Sequence, residues 1–267
     1  MNDDAIASAV DVREKGRTTV NGIHAIDRRL FVQFLAFGAC RRIEKVEAEL
    51  RSSGLQAVLY EDLNDPFGIG LITYSEEPDY FLDEVRDYIV RSSLRTLAFK
   101  QEYTMFGRTY ARGYESDLQE AIIDRPKRNL QDETLPWAVW YPLRRTGAFE
   151  ELSPEDQRAI LGEHGKIGHA FGTAGVGHDV RLACHGLNKD DNDFVIGVLG
   201  PQLHPLSIIV QTMRKTRQTA HYIARLGPFF TGRVVWRAAS ASTQTVNRTS
   251  VVAAPAASEA SERADVP

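Results

Sequence analysis

Cysteine is nearly missing from this chain. Its 267 residues include two, Cys40 and Cys184, far apart and in no CxxC pair. That spacing matches no common zinc pattern, points to no structural disulfide, and makes a reducing cytoplasm the expected setting. No window approaches eighteen apolar residues, so no transmembrane helix is expected. The opening MNDDAIASAVDVREKG lacks the apolar stretch of a signal peptide. Positive charge is not in excess either: 32 Lys and Arg face 36 Asp and Glu, a formal net charge of −4. A general nucleic-acid binder would show a basic stripe, so neither nucleic acid nor membrane is expected as a partner. The chain is 43% hydrophobic and 25% charged, enough to bury one large core or two small ones.

Residues 1–27 are polar and aperiodic, which predicts a mobile arm. Residues 238–267 are rich in Ala and Ser and predict a disordered tail. Between them one pattern occurs twice. In residues 28–112, RRLFVQFLAFGA reads as a strand and CRRIEKVEAELRSSG as a helix, with Ile43, Val46 and Leu50 on one face and Gly54 as its stop. QAVLYEDL and FGIGLITYS read as strands, EEPDYFLDEVRDYIVRSSL as a helix with Leu82, Val85 and Ile89 aligned, and LAFKQEYTMFGRTY as a closing strand. A connector, 113–134, leads into residues 135–237. LPWAVWYPLRR is a strand, and LSPEDQRAILGEHGKIG a helix with Ser153 at the N-cap and Pro154 at the first helical position. HDVRLACHGLN and DFVIGVLGP pair as strands, HPLSIIVQTMRKTRQTAHYIARLG makes one long helix, and FFTGRVVW closes the sheet. The fold class expected is α+β: two tandem ferredoxin-like β-α-β-β-α-β repeats packed into one α+β barrel, helices outside.

The stretch ILGEHGKIGHAFG carries two histidines at the end of its helix. Ile160, His164 and Ile167 fall on one apolar face, while His169 is expected beyond the helix. A histidine facing a core must satisfy two ring nitrogens. A buried ring bonded to a backbone carbonyl and a lone axial ligand to an iron porphyrin both fit this spacing. His24, His204 and His221 are expected at the surface or at helix ends, and Cys184 as a small core residue.

WYPLRRTGAFEELSPEDQRAILGEHGKIGH, followed by MRKTRQTAHYIARLGPFFTG, resembles the chlorite dismutase and coproheme decarboxylase superfamily. The likeness covers residues 100–237 by motif and the N-terminal half by architecture. It implies a heme in the C-terminal repeat and a ring of five subunits. By the same resemblance His164 matches the proximal iron ligand. Tyr141 matches the tyrosine that coproheme decarboxylases use as a radical relay to a propionate, and Arg214 and Thr219 match residues that hold propionates. Arg128, Arg144 and Arg145 join Arg214 as a pool of cations for the four carboxylates of iron coproporphyrin III, which a guanidinium fork grips well.

On the other face of the porphyrin the chain departs from the decarboxylases. Arg181, with His185 four residues on and Phe194 thirteen on, has the spacing of chlorite dismutases, whose distal arginine would stabilise charge on a departing oxygen. His178 is a rival for that position. The paired tryptophans of chlorite dismutases are missing, since GAFEEL offers only Phe149. The glutamate that often orients the proximal histidine is missing too, where Lys215, Thr216 and Arg217 stand. The activity implied is hydrogen-peroxide-dependent decarboxylation of coproheme to heme b. Chlorite dismutation or general heme peroxidation, and a heme-binding module without turnover, are the alternatives. A ferrochelatase is the partner that would supply the iron porphyrin.

Overall fold

The computed structural model describes residues 10–20 and 22–239. The expected tail falls outside them from residue 240 on. The expected N-terminal arm is instead partly ordered: β1 (Glu14–Thr19) and β2 (Gly22–Ile26) pair as an antiparallel hairpin. Polar contacts hold it. The Glu14 carboxylate accepts from Arg108 and from the Ala111 amide, and Arg17 N–H donates to Glu115 O at 2.8 Å.

The first half then runs β3 (Phe31–Gly38), α1 (Ile43–Ser53), β4 (Ala57–Asp62) and β5 (Ile69–Ser75). A π-helical turn, Phe81–Val85, leads into α2 (Arg86–Arg91), followed by β6 (Ala98–Phe99) and β7 (Met105–Arg108). Val46 and Leu50 are buried under α1 as expected. Leu82 is not: it is 64% exposed, and Phe81 and Val85 take the core positions. The wide π turn rotates the face that simple helical spacing assigns. The expected connector contains another π turn, Glu120–Asp124, running into α3 (Arg125–Gln131).

The second half supplies β8 (Trp137–Arg145), α4 (Pro154–Thr173), β9 (His178–Ala183) and β10 (Phe194–Gly200). It ends with α5 (Leu203–Met213), α6 (Arg217–Tyr222), β11 (Ile223–Leu226) and β12 (Phe230–Arg237). Two expectations are corrected. Helix α4 continues through Thr173, which places His169 on the helix, exposed. The single long helix expected over 204–227 breaks at Arg214–Thr216, and its last residues become β11, which pairs with the edge of β8.

Eight strands close into an antiparallel barrel in the order β10–β9–β7–β3–β5–β4–β12–β8, with β8 pairing back to β10. Within each half the four principal strands stand in the order fourth, first, third, second. Inward side chains, among them Phe34, Tyr60, Trp140, Leu182, Cys184 and Phe230, fill one shared core. Outward side chains make two further cores. One lies beneath α1 and α2, with Leu35, Leu59 and Leu71. The other lies beneath α5, with Val139, Tyr141, Leu143, Val198, Leu206 and Ile209. Cys40 and Cys184 are free thiols buried in separate cores. Among the described residues no helix is long and apolar enough to cross a membrane.

The barrel interior leaves no slack where β10 meets β8. Gly197 sits opposite Trp140, and a Cβ there would lie 2.4 Å from the indole ring. Gly197→Ala is therefore expected to destabilise the chain by about 1–3 kcal/mol, the usual cost of overpacking a core. A denaturation midpoint measures it, and an unshifted midpoint would contradict this packing.

Candidate functional site

The pleat of β8 decides which of its residues can serve a site. Trp140 points into the barrel, so Tyr141, Leu143 and Arg145 point out, beneath the C-terminal helices. On α4 the Ser153 hydroxyl caps the helix by accepting from the Asp156 amide at 3.1 Å, and Pro154 occupies the first turn. From that start the helix carries His164 back over the outer face of the sheet. Tyr141, Leu143, His164, Val210, Met213, Arg214, Gln218, Thr219, Ile223 and Leu226 line a narrow cleft between them that opens to solvent.

His164 is half-buried in that wall, and its Nδ1 lies 3.0 Å from Thr216 Oγ1. The single Thr216 hydroxyl proton is directed to Met213 O at 2.8 Å. A hydroxyl oxygen so committed is an acceptor for a His164 Nδ1–H, the tautomer that would leave the Nε2 lone pair free. The next pair along seals the same junction: Glu163 accepts from the Arg217 amide at 3.1 Å and from its guanidinium. Burial pushes the His164 ring down to about 4, with Arg145 and Arg181 acting in the same direction and Glu163 opposing. The ring is thus neutral near pH 7.

A stability effect follows from this depression. An unfolded histidine titrates near 6.5. Between that value and about 4 the unfolded chain binds the proton first, so stability rises with pH. The contribution is complete above about pH 6.5 and is lost as pH falls toward 4. The expected loss is about 2–3 kcal/mol across the window. It should be missing from His164→Asn, and superimposable pH curves for the two proteins would contradict it.

Tyr141 lies across the cleft, buried, its ring stacked on Phe229 at 4.6 Å. Burial lifts its hydroxyl well above the ordinary phenol range; Asp179 adds to this and Arg214 opposes it. The Arg214 guanidinium lies over the Phe229 ring, 5.8 Å from its centroid. The turn before Phe229 needs Gly227, whose φ of +96° suits glycine. That turn sends Phe229 to the cleft and Phe230 into the barrel.

The other expected residues divide. Arg145 reaches toward the site: its guanidinium lies between the rings of Phe149 and Phe194, 4.4 and 4.7 Å from their centroids, and its buried Nε has no partner. Arg144 faces the other way and pairs with Asp191 at 2.6 Å. Arg128 lies exposed on α3, paired with Glu120 at 2.6 Å. None of Arg128, Arg144 and Arg145 lines the cleft, whose one lining arginine among the described residues is Arg214. Arg144 is one residue out of phase with Tyr141, and Arg128 belongs to a helix outside the C-terminal strands.

Arg181 and Ile196 are cross-strand neighbours, as are Ile196 and Tyr141, so all three share the outer face. Arg181 pairs with Asp179 at 3.2 Å and lines a second, small cavity with Tyr110 and Arg125. His178 lies three residues away and falls on the opposite face, near Asp132 at the barrel end. It is not a rival for the position above the cleft. His185 is exposed, 3.6 Å from Asp193 and edge-on to Phe194. His24, His204 and His221 are exposed.

Sequence reasoning missed Thr216, Gln218 and Tyr110. Thr216 and Gln218 are buried polar residues in a stretch that reads as an exposed helix, and no spacing signal distinguishes them. Tyr110 closes the motif GRTY, whose aromatic end carried a usable signal.

A structure of a novel heme-binding protein from Thermus thermophilus is similar to this chain with a TM-score of 0.62 at 16% identity, over 79% of this chain and 92% of that one. A mutant chlorite dismutase from Candidatus Nitrospira defluvii is similar with a TM-score of 0.58 at 15% identity, over 77% of this chain and 91% of that one. At such identities the likeness is one of fold. No curated protein matches the chain. The family model for chlorite dismutase matches residues 40–235, and with that match across most of its length the chain belongs to the chlorite dismutase family.

Proposed function

We infer that this chain binds an iron porphyrin in the cleft with His164 as the iron ligand, and that it is a hydrogen-peroxide-dependent coproheme decarboxylase making heme b from iron coproporphyrin III. The observation that carries the reading is the His164 ring, neutral, held through Nδ1 by Thr216 and lining the same cleft as Tyr141. Family membership and the likeness to a heme-binding protein support it.

The residues present fit the group. One imidazole would supply a ligand, Leu143, Val210 and Met213 apolar walls, and Arg214 a cation in the lining, with Arg145 on the same outer face of β8 as Tyr141. A tetrapyrrole is larger than the cleft as it stands, and α4 is the wall that can yield. Ile160 is the only buried residue of its twenty, and Gly162 and Gly165, on either side of His164, have no atom within 4 Å of a Cβ position.

When bound, the iron porphyrin supplies one-electron redox chemistry. Each propionate that becomes a vinyl group gives up carbon dioxide, one proton and two electrons; one peroxide takes up those two electrons, that proton and one more from solvent and is reduced to two waters. The protein positions the reacting groups. Arg214, over the Phe229 ring that stacks on Tyr141, would hold a propionate carboxylate through charge-assisted hydrogen bonds. Burial keeps Tyr141 protonated at neutral pH, so the phenol carries a proton and an electron that leave together. Thr219 and Gln218 offer further hydrogen bonds along the same wall. Proximity of this kind converts the transfer into an intramolecular step.

Incubating the protein with iron coproporphyrin III and measured peroxide, then weighing the porphyrin by mass spectrometry, tests the reading. Sequential loss of two carboxyl groups is expected, and an unchanged mass under full loading would remove it. Arg181 favours a second reading, because it shares the outer face with Tyr141 and borders a polar cavity. That reading is chlorite dismutation or general peroxidation, and oxygen release from chlorite tests it. Silence in both assays leaves a heme-binding module. The assembly that goes with the main reading is a cytoplasmic homopentamer receiving its porphyrin from a ferrochelatase. Sedimentation of the loaded protein at five times the chain mass supports it, and a monomer would refute it.

A further inference from the structure

At the junction of α4 and α6 one hydroxyl serves three groups. Thr216 Oγ1 donates to Met213 O at 2.8 Å, accepts from the Thr219 amide as the N-cap of α6, and lies within hydrogen-bond distance of His164 Nδ1 at 3.0 Å. Thr216 is buried, so no water competes freely for these bonds. It lies in the break between α5 and α6, and Glu163 binds Arg217, the residue after it. Two neighbours on α4 are thereby clipped to two neighbours on the break. A helix so sparsely packed depends on that clip to hold one ring orientation.

We propose that Thr216 is the positioning residue of the iron ligand: it fixes the Nδ1–H tautomer of His164 and, as a neutral acceptor already donating elsewhere, holds the ring at modest basicity. The proposal rests on the reading of His164 as ligand and adds to it a control on the iron. A ring hydrogen-bonded to a carboxylate gains imidazolate character and pushes electron density to the metal. A hydroxyl does so weakly, and a side chain with no acceptor does not do so at all. The side chain at 216 therefore sets the strength of the iron–histidine bond and the potential of the bound iron.

Thr216→Val, Thr216→Ser and Thr216→Asp test this in the full chain. Loaded with iron coproporphyrin III and reduced, Val should lower the iron–histidine stretching frequency in resonance Raman and raise the reduction potential. Asp should do the reverse, and Ser should match the natural protein. Ser and Asp both cap helices well, so a purely structural role would leave those two alike. Three variants with identical stretch and potential would overturn the proposal. The protein without porphyrin gives an independent readout: ¹⁵N shifts of the His164 ring should show Nδ1–H in the natural chain and lose that preference in Thr216→Val. An Nε2–H ring in the natural chain would overturn the proposal even if a variant failed to fold. His164→Ala separates the two ideas. An unchanged Raman band there shows another ligand and removes both, whereas a lost band with inert Thr216 variants removes only the role of Thr216.

Discussion

His164→Ala is expected to abolish the five-coordinate histidine spectrum of the protein with iron coproporphyrin III and to weaken porphyrin retention at least tenfold. The ring is the one neutral imidazole facing the cleft, and its Nε2 is the atom left free by the Thr216 bond. No other histidine can replace it. His169 is exposed on the same helix, His178 faces the opposite side of the sheet, and His185 lies exposed beside Asp193. Removing the ring should barely disturb the fold, because α4 buries only Ile160. The loss is therefore one of ligation, and an unaltered Soret band in this variant would contradict the assignment.

Tyr141→Phe has the second large effect. The ring of Tyr141 is packed on Phe229, and the phenylalanine retains that stack, so porphyrin binding should stay within about twofold of the natural protein. The hydroxyl makes no hydrogen bond among the described residues, so its loss leaves no buried partner unsatisfied. Decarboxylation, by contrast, should fall by on the order of 10²–10⁴-fold, the range for losing a group that moves a proton in the reacting step. The split between preserved binding and lost turnover is the signature. A rate within threefold of the natural protein would exclude Tyr141 as the relay and move weight to the arginine side of the site.

Much of this was legible because local physics agrees with the fold. Ile43, Val46 and Leu50 mark α1, Ser153 and Pro154 mark the start of α4, and the apolar runs mark the barrel strands. The hairpin β1–β2 carried no such mark: its register comes from Glu14 meeting Arg108 and Ala111 across the chain, not from alternating apolar residues. The break in 203–226 was hidden for a related reason. Met213 through Tyr222 has helical composition, and the edge of β8, about 80 residues earlier, draws Ile223–Leu226 into a strand. Tertiary pairing overrode local propensity there.

In the site, strand parity separated what composition could not. Arg144 and Arg145 are equivalent by type and adjacent by number, yet only Arg145 shares a face with Tyr141. Arg181 and His178 are three apart and so face opposite ways, a distinction the sequence already contained once β9 was in place. Arg128 had no such reference, because the connector hid a helix whose start is a π turn. Thr216 could not be found at all from sequence: a threonine between a lysine and an arginine looks like solvated surface until α4 is laid against it.

Every assignment in the site depends on an iron porphyrin seated between α4 and the outer face of β8, and titration of the purified protein with iron coproporphyrin III near pH 7 tests that most directly. A shifted Soret band that saturates at one porphyrin per chain, with amides of α4 becoming protected from hydrogen exchange as it fills, is the predicted result. A spectrum identical to free iron coproporphyrin, with α4 exchange unchanged, would contradict it.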